Sequence, residues 1–392
     1  MIIFVVNCGS SSLKYDLIDM EKSATIMNGQ FTSIGSDDSK HSYSINDNKQ
    51  EDTIAFSDHE ACMESLNELF QKHKIVENNK PIFESIGHRV VHGAEQFVES
   101  VVIDEAVKEA IKDLIPLAPL HNPVNLMGIE ICEKFFPGIK QVAVFDTAFH
   151  QTLPTKSYLY GVPFEWYENF KIRRYGFHGN SHKYVALKAA EYLKQPLYSL
   201  RLITCHLGNG VSVCAINYGE SIDTTMGFGP LEGLIMGTRS GDIDATIIHY
   251  LMEEQGMNID QVMKALNKQS GLLGISGETN NMKDIVDMAA HGHERCMLAV
   301  KMFVRRLLKV IGSYIALLGD VDAIIFTGGI GENAYQIRER VCQKLEFAGA
   351  IMDEDLNILN EKNKEGICDF SASESRVKLL GINTDEEWMI AN

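Results

Sequence analysis

Histidine, asparagine, arginine and aspartate recur in this chain beside glycines: Phe177–His182 reads FHGNSH, His206–Gly210 reads HLGNG and Met236–Asp244 reads MGTRSGDID. Short polar side chains set among glycines at strand ends let backbone amides and cationic groups come close to an anion, and phosphate suits such a lining. Phosphoryl transfer is therefore the first chemistry to consider. Arg239, between Gly237 and Gly241, has the planar fork that grips a phosphoryl group. Thr327–Ala334 (TGGIGENA) follows an apolar run and precedes a helical pattern, which fits a loop for nucleotide phosphate or adenosine. It has neither the GK[ST] of a Walker A loop nor the dinucleotide spacing.

Other polar groups read two ways. Asn7–Tyr15 (NCGSSSLKY) can offer hydroxyls and amides to phosphate oxygens or to an ion's water shell, or be a serine-rich turn. In Gly87–Gly93 (GHRVVHG), Arg89 and His92 stand in an otherwise apolar strand, so Arg89 needs an internal carboxylate or an anionic ligand. Asp146 closes the strand AVFDT where functional side chains leave α/β sheets, and where helix caps also occur. His121 and Asn122 cap the next helix or touch substrate. His178 and His182 are core histidines or members of an exposed turn, and the neighbouring glycines favour the turn.

The elements that position these groups alternate. IIFVV is an apolar, β-branched run suited to burial on both sheet faces, and a polar turn and the strand LKYDLID follow it. LITC, HLGNG and VSVCAINYG repeat that design from residue 202, which suggests a duplicated domain whose copies each open with a hairpin. AVFDT and AIIFTGG are further buried strands. Helical periodicity marks 59–73, 104–114, 124–135, 179–194, 244–254, 259–267, 292–318 and 333–345. The result is an α/β fold. Residues 31–57 read as solvated edge hairpins and turns.

Composition sets bounds. A chain of 392 residues, 45% hydrophobic, divides more comfortably into two domains than one, and two domains imply a cleft. The eight cysteines are scattered without CxxC or zinc spacing and read as reduced thiols in the cytoplasm. No run of about 18 apolar residues offers a membrane span. A net charge of −17 repels nucleic acid and anionic membranes. A nucleotide or carboxylate ligand then needs locally clustered arginine, histidine and metal ions.

Taken in order, NCGSSSLKY, GHRVVHG, APLHNP, FDTAFH, RRYGFHG, HLGNG, MGF, PLEGLIMGTRSGDID and FTGGIGEN give the chain a resemblance, over essentially its whole length, to the acetate and propionate kinase family of the sugar kinase and actin-like ATPase superfamily. The resemblance implies two ribonuclease H-like domains around a cleft, Mg²⁺ with Mn²⁺ as a substitute, and a homodimer. It implies a first domain of 1–147 with a C-terminal helix at about 384–392, carrying acyl-kinase chemistry, and a second of 148–383 for nucleotide binding and dimerisation. Position by position, Asn7, Ser10, Ser12 and Lys14 match the N-terminal motif. Arg89, Asp146, His178 and Arg239 match catalytic positions; Val91, Leu120, Phe177 and Pro230, with Arg89, match the acyl site. Ser12, Lys14, His206, Asn209, Gly210, Asn281, Met282, Lys283, Gly329, Ile330, Gly331 and Asn333 match nucleotide positions. Asn7 and Glu386 match the metal positions, with Glu387 as the neighbouring alternative.

The expected reaction is reversible in-line transfer of the γ-phosphoryl group of ATP to acetate, giving acetyl phosphate and ADP. The alternatives are propionate or butyrate as acceptor, another phosphoryl donor, and a non-catalytic actin-like switch. Asn180 and Gly229 stand where the family usually has threonine, and Asn281 and Lys283 where it usually has Asp and Arg beside the nucleoside. This last departure bears on the donor.

Overall fold

The computed structural model describes residues 1–45, 48–78, 80–363 and 365–392. They divide into two units, Met1–Ala148 with Asp385–Asn392, and Phe149–Thr384.

The first unit is built on β1 (Ile2–Gly9), which pairs antiparallel with β2 (Ser12–Asp19), followed outward by β3 (Ala24–Thr32), β4 (Lys40–Ile45) and β5 (Asn48–Thr53). A two-stranded ribbon, β6 (Val76–Glu77) with β7 (Lys80–Pro81), stands apart. On the other side of β1 lie parallel β8 (Ser85–Val90) and β10 (Lys140–Phe145), with β9 (Val101–Val102) at the edge. Alternation along β1 sends Phe4, Val6 and Cys8 into one core, with Phe70, Phe83 and Phe136. Ile3 and Val5 enter another core with Val144, Ile390 and Ala391. The β1 run is thus buried on both faces, as its composition requires. The helix Glu386–Ala391 supplies the second cover, and it fits closely because Gly87 has no side chain: a Cβ there would stand 2.8 Å from Ile390 Cγ2.

The second unit repeats the plan. β11 (Arg201–Leu207), β12 (Val211–Asn217) and β13 (Glu220–Thr224) form an antiparallel meander. β14 (Ala323–Thr327) and β16 (Lys378–Ile382) continue in parallel, and β15 (Ile367–Asp369) closes the edge. The orders 3-2-1-8-10 and 13-12-11-14-16 superpose as one topology, so the hairpin-led repeat read from the sequence is present. The helices Gly179–Leu193 and Glu294–Leu318 pack on the central strands.

Several local expectations change. His206 lies in β11 and not in the turn after it, and His92 lies beyond the end of β8. The helix expected at 333–345 runs Tyr335–Cys342, set off at Ala334 from a short helix Gly328–Asn333 where a loop was expected. Residues 31–57 are only partly solvated: β5 is exposed throughout, whereas Ser39, His41 and Tyr43 are buried. His41 stacks on Phe31 at 3.8 Å and meets the Tyr15 hydroxyl through Nε2 at 2.9 Å. Aromatic packing beneath this hairpin outweighs its polar composition. Positions 46 and 47, at the turn of that expected hairpin, lie outside the described residues.

Ile390 is 5% exposed and belongs to the core that closes β1. Ile390→Ala should lower the stability of the first unit by about 2–5 kcal/mol, as a buried large-to-small change does. Urea unfolding followed by a probe in each unit checks this. An unmoved first-unit midpoint would mean that the C-terminal helix does not complete this core.

Candidate functional site

In the first unit the site begins with three neighbouring parallel strand ends. Asn7 is in β1, Arg89 in β8, and Asp146 follows β10. Asp146 is 1% exposed and accepts from Arg89 Nε at 3.0 and 3.1 Å and from Nη2 at 2.5 Å. Arg89 Nη1 donates to Asn7 Oδ1 at 3.4 Å. Of the two readings of Arg89, the internal carboxylate is therefore the one the fold satisfies. The guanidinium keeps a 23% exposed edge, and the carboxylates around it outweigh burial and hold it more firmly protonated than usual. Glu386 Oε2 lies 3.8 Å from Arg89 Nε. Burial, against the pull of Arg89 and Lys14 and with Asp146 and Glu387 pushing the same way, raises the Glu386 carboxyl to about 7. Glu387 instead lines a groove of about 520 Å³ with Lys14 and Asp16.

The loop after β8 is stapled from beneath. Asn125 Oδ1 accepts from Val91 N at 3.0 Å, and Asn122 Oδ1 from His92 N at 3.2 Å. Asn122, read as a cap or a substrate contact, is instead a fully buried clamp on this loop. Val91 is buried and Leu120 is 61% exposed. Both belong to the first unit, whereas Phe177, buried, and Pro230, half-buried, belong to the second.

In the second unit, His178 occupies the left-handed region (φ 57°, ψ 25°) as the residue before the helix Gly179–Leu193. That conformation is costly for a residue with a Cβ and marks a position held by its surroundings. The His178 ring stacks on His206 at 4.2 Å. A Cβ on Gly210 would stand 3.1 Å from His178 Nε2 and 3.7 Å from Arg239 Nη1. The two heads therefore flank one point that only glycine leaves open. Arg239 Nη1 also donates to the Pro230 carbonyl at 3.0 Å. Its loop is better anchored than its glycines suggested: Leu234, Ile235 and Met236 are buried, and the loop backbone rests on Gly271.

Beside these groups the second unit has a cavity of about 760 Å³. Asn209, Asn281, Met282, Lys283, Gly329, Ile330 and Asn333, separated in sequence, all line it. His206, Gly210 and Gly331 are not among its lining residues, and Ser12 and Lys14 lie in the first unit. Asn281 also caps the helix Met282–Ala290, its Oδ1 accepting from Lys283 N at 2.9 Å. The chain turns from β14 into the helix Gly328–Asn333 at Gly328 (φ 74°), where a Cβ would press within 2.9 Å of the Leu207 backbone. The carbonyls at the end of that helix are held by Arg338, which is fully buried and donates to Gly331 O and Glu332 O, each at 2.9 Å.

Sequence reasoning missed Val286, Asp287, Tyr335 and Gln336, which also line the cavity. The first two had a signal, since a helix starting at residue 282 places 282, 283, 286 and 287 on one face. Tyr335 and Gln336 depend on the break at Ala334, and Arg338 on contacts that spacing does not encode.

The chain matches the Acetokinase family model over residues 2–392. It is 50% identical over 392 residues to an acetate kinase of Caldicellulosiruptor saccharolyticus, covering 100% of this chain and 98% of that one. A propionate kinase from Francisella tularensis matches in structure with a TM-score of 0.93 at 41% identity. Porphyromonas gingivalis acetate kinase matches with 0.90 at 40%. Each of these two structures covers 100% of this chain, which covers 98% of each.

The raised carboxyl of Glu386 gives a signed pH dependence. The folded state keeps this proton up to about 7 and the unfolded state only to about 4.5, so the group's contribution to stability falls as pH rises through that interval. Glu386→Gln should therefore raise the melting temperature of the ligand-free protein above pH 7, with the gain vanishing below about pH 4.5. Thermal unfolding across that range checks it; a pH-independent difference would contradict the ionisation argument.

Proposed function

This chain belongs to the acetokinase family, and from that premise we propose that it transfers a phosphoryl group reversibly between ATP and acetate, giving acetyl phosphate and ADP. The observation that carries this reading is the convergence of His178 Nε2 and Arg239 Nη1 on one point above Gly210. An imidazole and a guanidinium beside one small space suit a group that gathers negative charge on its oxygens as it moves.

Acetate is ionised near neutral pH, so its attacking oxygen needs no general base. Alignment and charge stabilisation are then the protein's tasks, and direct in-line displacement is the step they serve. Arg89, oriented by Asp146, neutralises the acceptor carboxylate. His178 donates from Nε2 to an equatorial oxygen of the transferring group, and Arg239 holds a second oxygen. Val91, Leu120, Phe177 and Pro230 contact the methyl group and exclude water. The nucleoside occupies the second-unit cavity; Asn209, Gly210, Gly329, Ile330, Gly331 and Asn333 meet its phosphates, with His206, Ser12 and Lys14 adding donors.

A divalent cation fits the oxygen donors of the first unit in one way. Among the described residues no three His, Cys, Asp or Glu side chains form a ready-made cage, and Asp146 is engaged by Arg89. Asn7, Asp146 and Glu386 would therefore hold Mg²⁺, or Mn²⁺, chiefly through water, which is how Mg²⁺ is commonly retained beside phosphates. When bound it neutralises donor-phosphate charge.

The first unit is assigned acyl-kinase chemistry and the second nucleotide binding and dimerisation. The helix Thr246–Gln255 has no buried residue and exposes Ile247, Tyr250 and Met252. Such a face on the second unit suits contact with a second copy. No described helix is long and apolar enough to cross a membrane, and all eight cysteines are buried and free, which supports a cytoplasmic setting. Propionate is the second reading for the acceptor, favoured by the Francisella propionate kinase likeness.

Hydroxamate trapping of acyl phosphate across acetate, propionate and butyrate tests the assignment, with acetate expected to be the most efficient acceptor. No acyl phosphate from any acid would overturn it. Arg239→Ala should lower turnover by about two orders of magnitude or more while the protein still folds; equal turnover would remove Arg239 from the step. The donor departure gives a second expectation. Asn281→Asp with Lys283→Arg should lower the KM for ATP, because a carboxylate accepts ribose hydroxyls more strongly and Arg stacks on a base where Lys does not. The acetate KM should hold. Unchanged KM values for ATP, GTP and pyrophosphate would show that these two positions do not read the donor.

A further inference from the structure

The catalytic assignment of His178 leaves its other ring nitrogen to be explained. Alternation along β11 puts Thr204 and His206 on one face, and the antiparallel register sets Ser212 of β12 directly opposite His206. The helix Gly179–Leu193 lies over that face and brings His182 to it. His178 Nδ1 meets Ser212 Oγ at 2.9 Å, Ser212 Oγ meets His182 Nε2 at 2.8 Å, and His182 Nδ1 meets Thr204 Oγ1 at 2.7 Å. Ser212, His182 and Thr204 are all fully buried.

We propose that Ser212 is a positioning residue for phosphoryl transfer: its hydroxyl holds the His178 ring with Nε2 facing the point above Gly210, and it links that ring to a buried chain through His182 to Thr204. This rests on the role given to His178 above. Hydrogen-bond counting shows what the chain can do. With His178 neutral and Nε2 carrying its proton, Nδ1 accepts from Ser212, Ser212 accepts from His182 Nε2, and His182 Nδ1 accepts from Thr204. With His178 cationic, each bond reverses: Nδ1 donates to Ser212, Ser212 to His182 Nε2, and His182 Nδ1 to Thr204. His182 is neutral in both arrangements, as full burial beside His150 and His206 requires. The Nε2–H is presented either way, and none of these four groups loses a partner within the chain. A hydroxyl is the group that can donate in one state and accept in the other. The chain also gives the left-handed backbone of His178 a reason to persist, since the ring is fixed from behind.

The test is a double-mutant cycle. Ser212→Ala should lower kcat for acetyl phosphate formation about ten- to a hundredfold, the range seen when a partner that orients a functional histidine is lost. The KM values for ATP and acetate should stay within about twofold, and Ser212→Thr, which keeps the hydroxyl, should recover most of the loss. In a His178→Ala background the same Ser212→Ala change should cost less than about twofold, because acting through His178 makes the two effects non-additive. An equal loss in both backgrounds, or full activity of Ser212→Ala, would overturn the proposal. Full activity of His178→Ala would remove the catalytic role of His178 and this inference with it. The contact is also read without turnover: ¹⁵N NMR of labelled histidines, assigned with His178→Ala, should show the His178 Nδ1 signal move in Ser212→Ala, and an unmoved signal would overturn the proposal even if no acyl phosphate is formed.

Discussion

The pairing of Arg89 with Asp146 is the constraint on which the first unit depends. A carboxylate 1% exposed is tolerable only when its charge is met, and here the guanidinium meets it through two donor nitrogens. That demand fixes β8 beside β10 at the level where both strands end, and it draws Asn7 of β1 into the same cluster. Glu386 arrives as a further carboxyl beside an arginine already engaged. Its raised pKa follows from burial beside Asp146 and Glu387, with Arg89 only partly offsetting it.

The second unit holds its histidines through hydroxyls. Around His178 the hydrogen-bond partners are the hydroxyls of Ser212, Thr204, Ser181 and Thr384 and the rings of His182 and His206. A buried carboxylate there would oppose an incoming phosphate, whereas hydroxyls orient a ring at no cost in field. The same economy holds at Arg338, which spends its donors on carbonyls and amide oxygens and has no acid among its bonding partners. These two arrangements add no carboxylate of their own beside a phosphate site, in a chain whose net charge is −17.

Much of this was legible in the sequence because periodicity and turn chemistry act locally. The β1 run, the second hairpin at residue 201, the long helix ending at Leu318 and the strand ahead of Gly328 all follow from composition over a few residues. The resemblance supplied the roles of Arg89, His178 and Arg239, which spacing alone left among several readings. The rest depended on long-range contacts. Asn122 and Asn125 clamp a loop some thirty residues earlier, and Ser212 reads in isolation as one more strand serine. His41 entered a core because Phe31 and Tyr15 were waiting for it, a fact that its polar neighbours conceal.

The eight residues Asp385–Asn392 belong to the unit that begins at Met1. During synthesis the chain therefore makes β1, β8 and β10 long before it makes the helix that covers them. Ile3, Val5 and Val144 have to wait, without their cover, while the whole second unit emerges and is free to fold. For that interval the nascent protein carries an uncovered apolar patch. The first unit can be finished only after the second has been made, which gives the order of assembly a direction opposite to the order of the sequence.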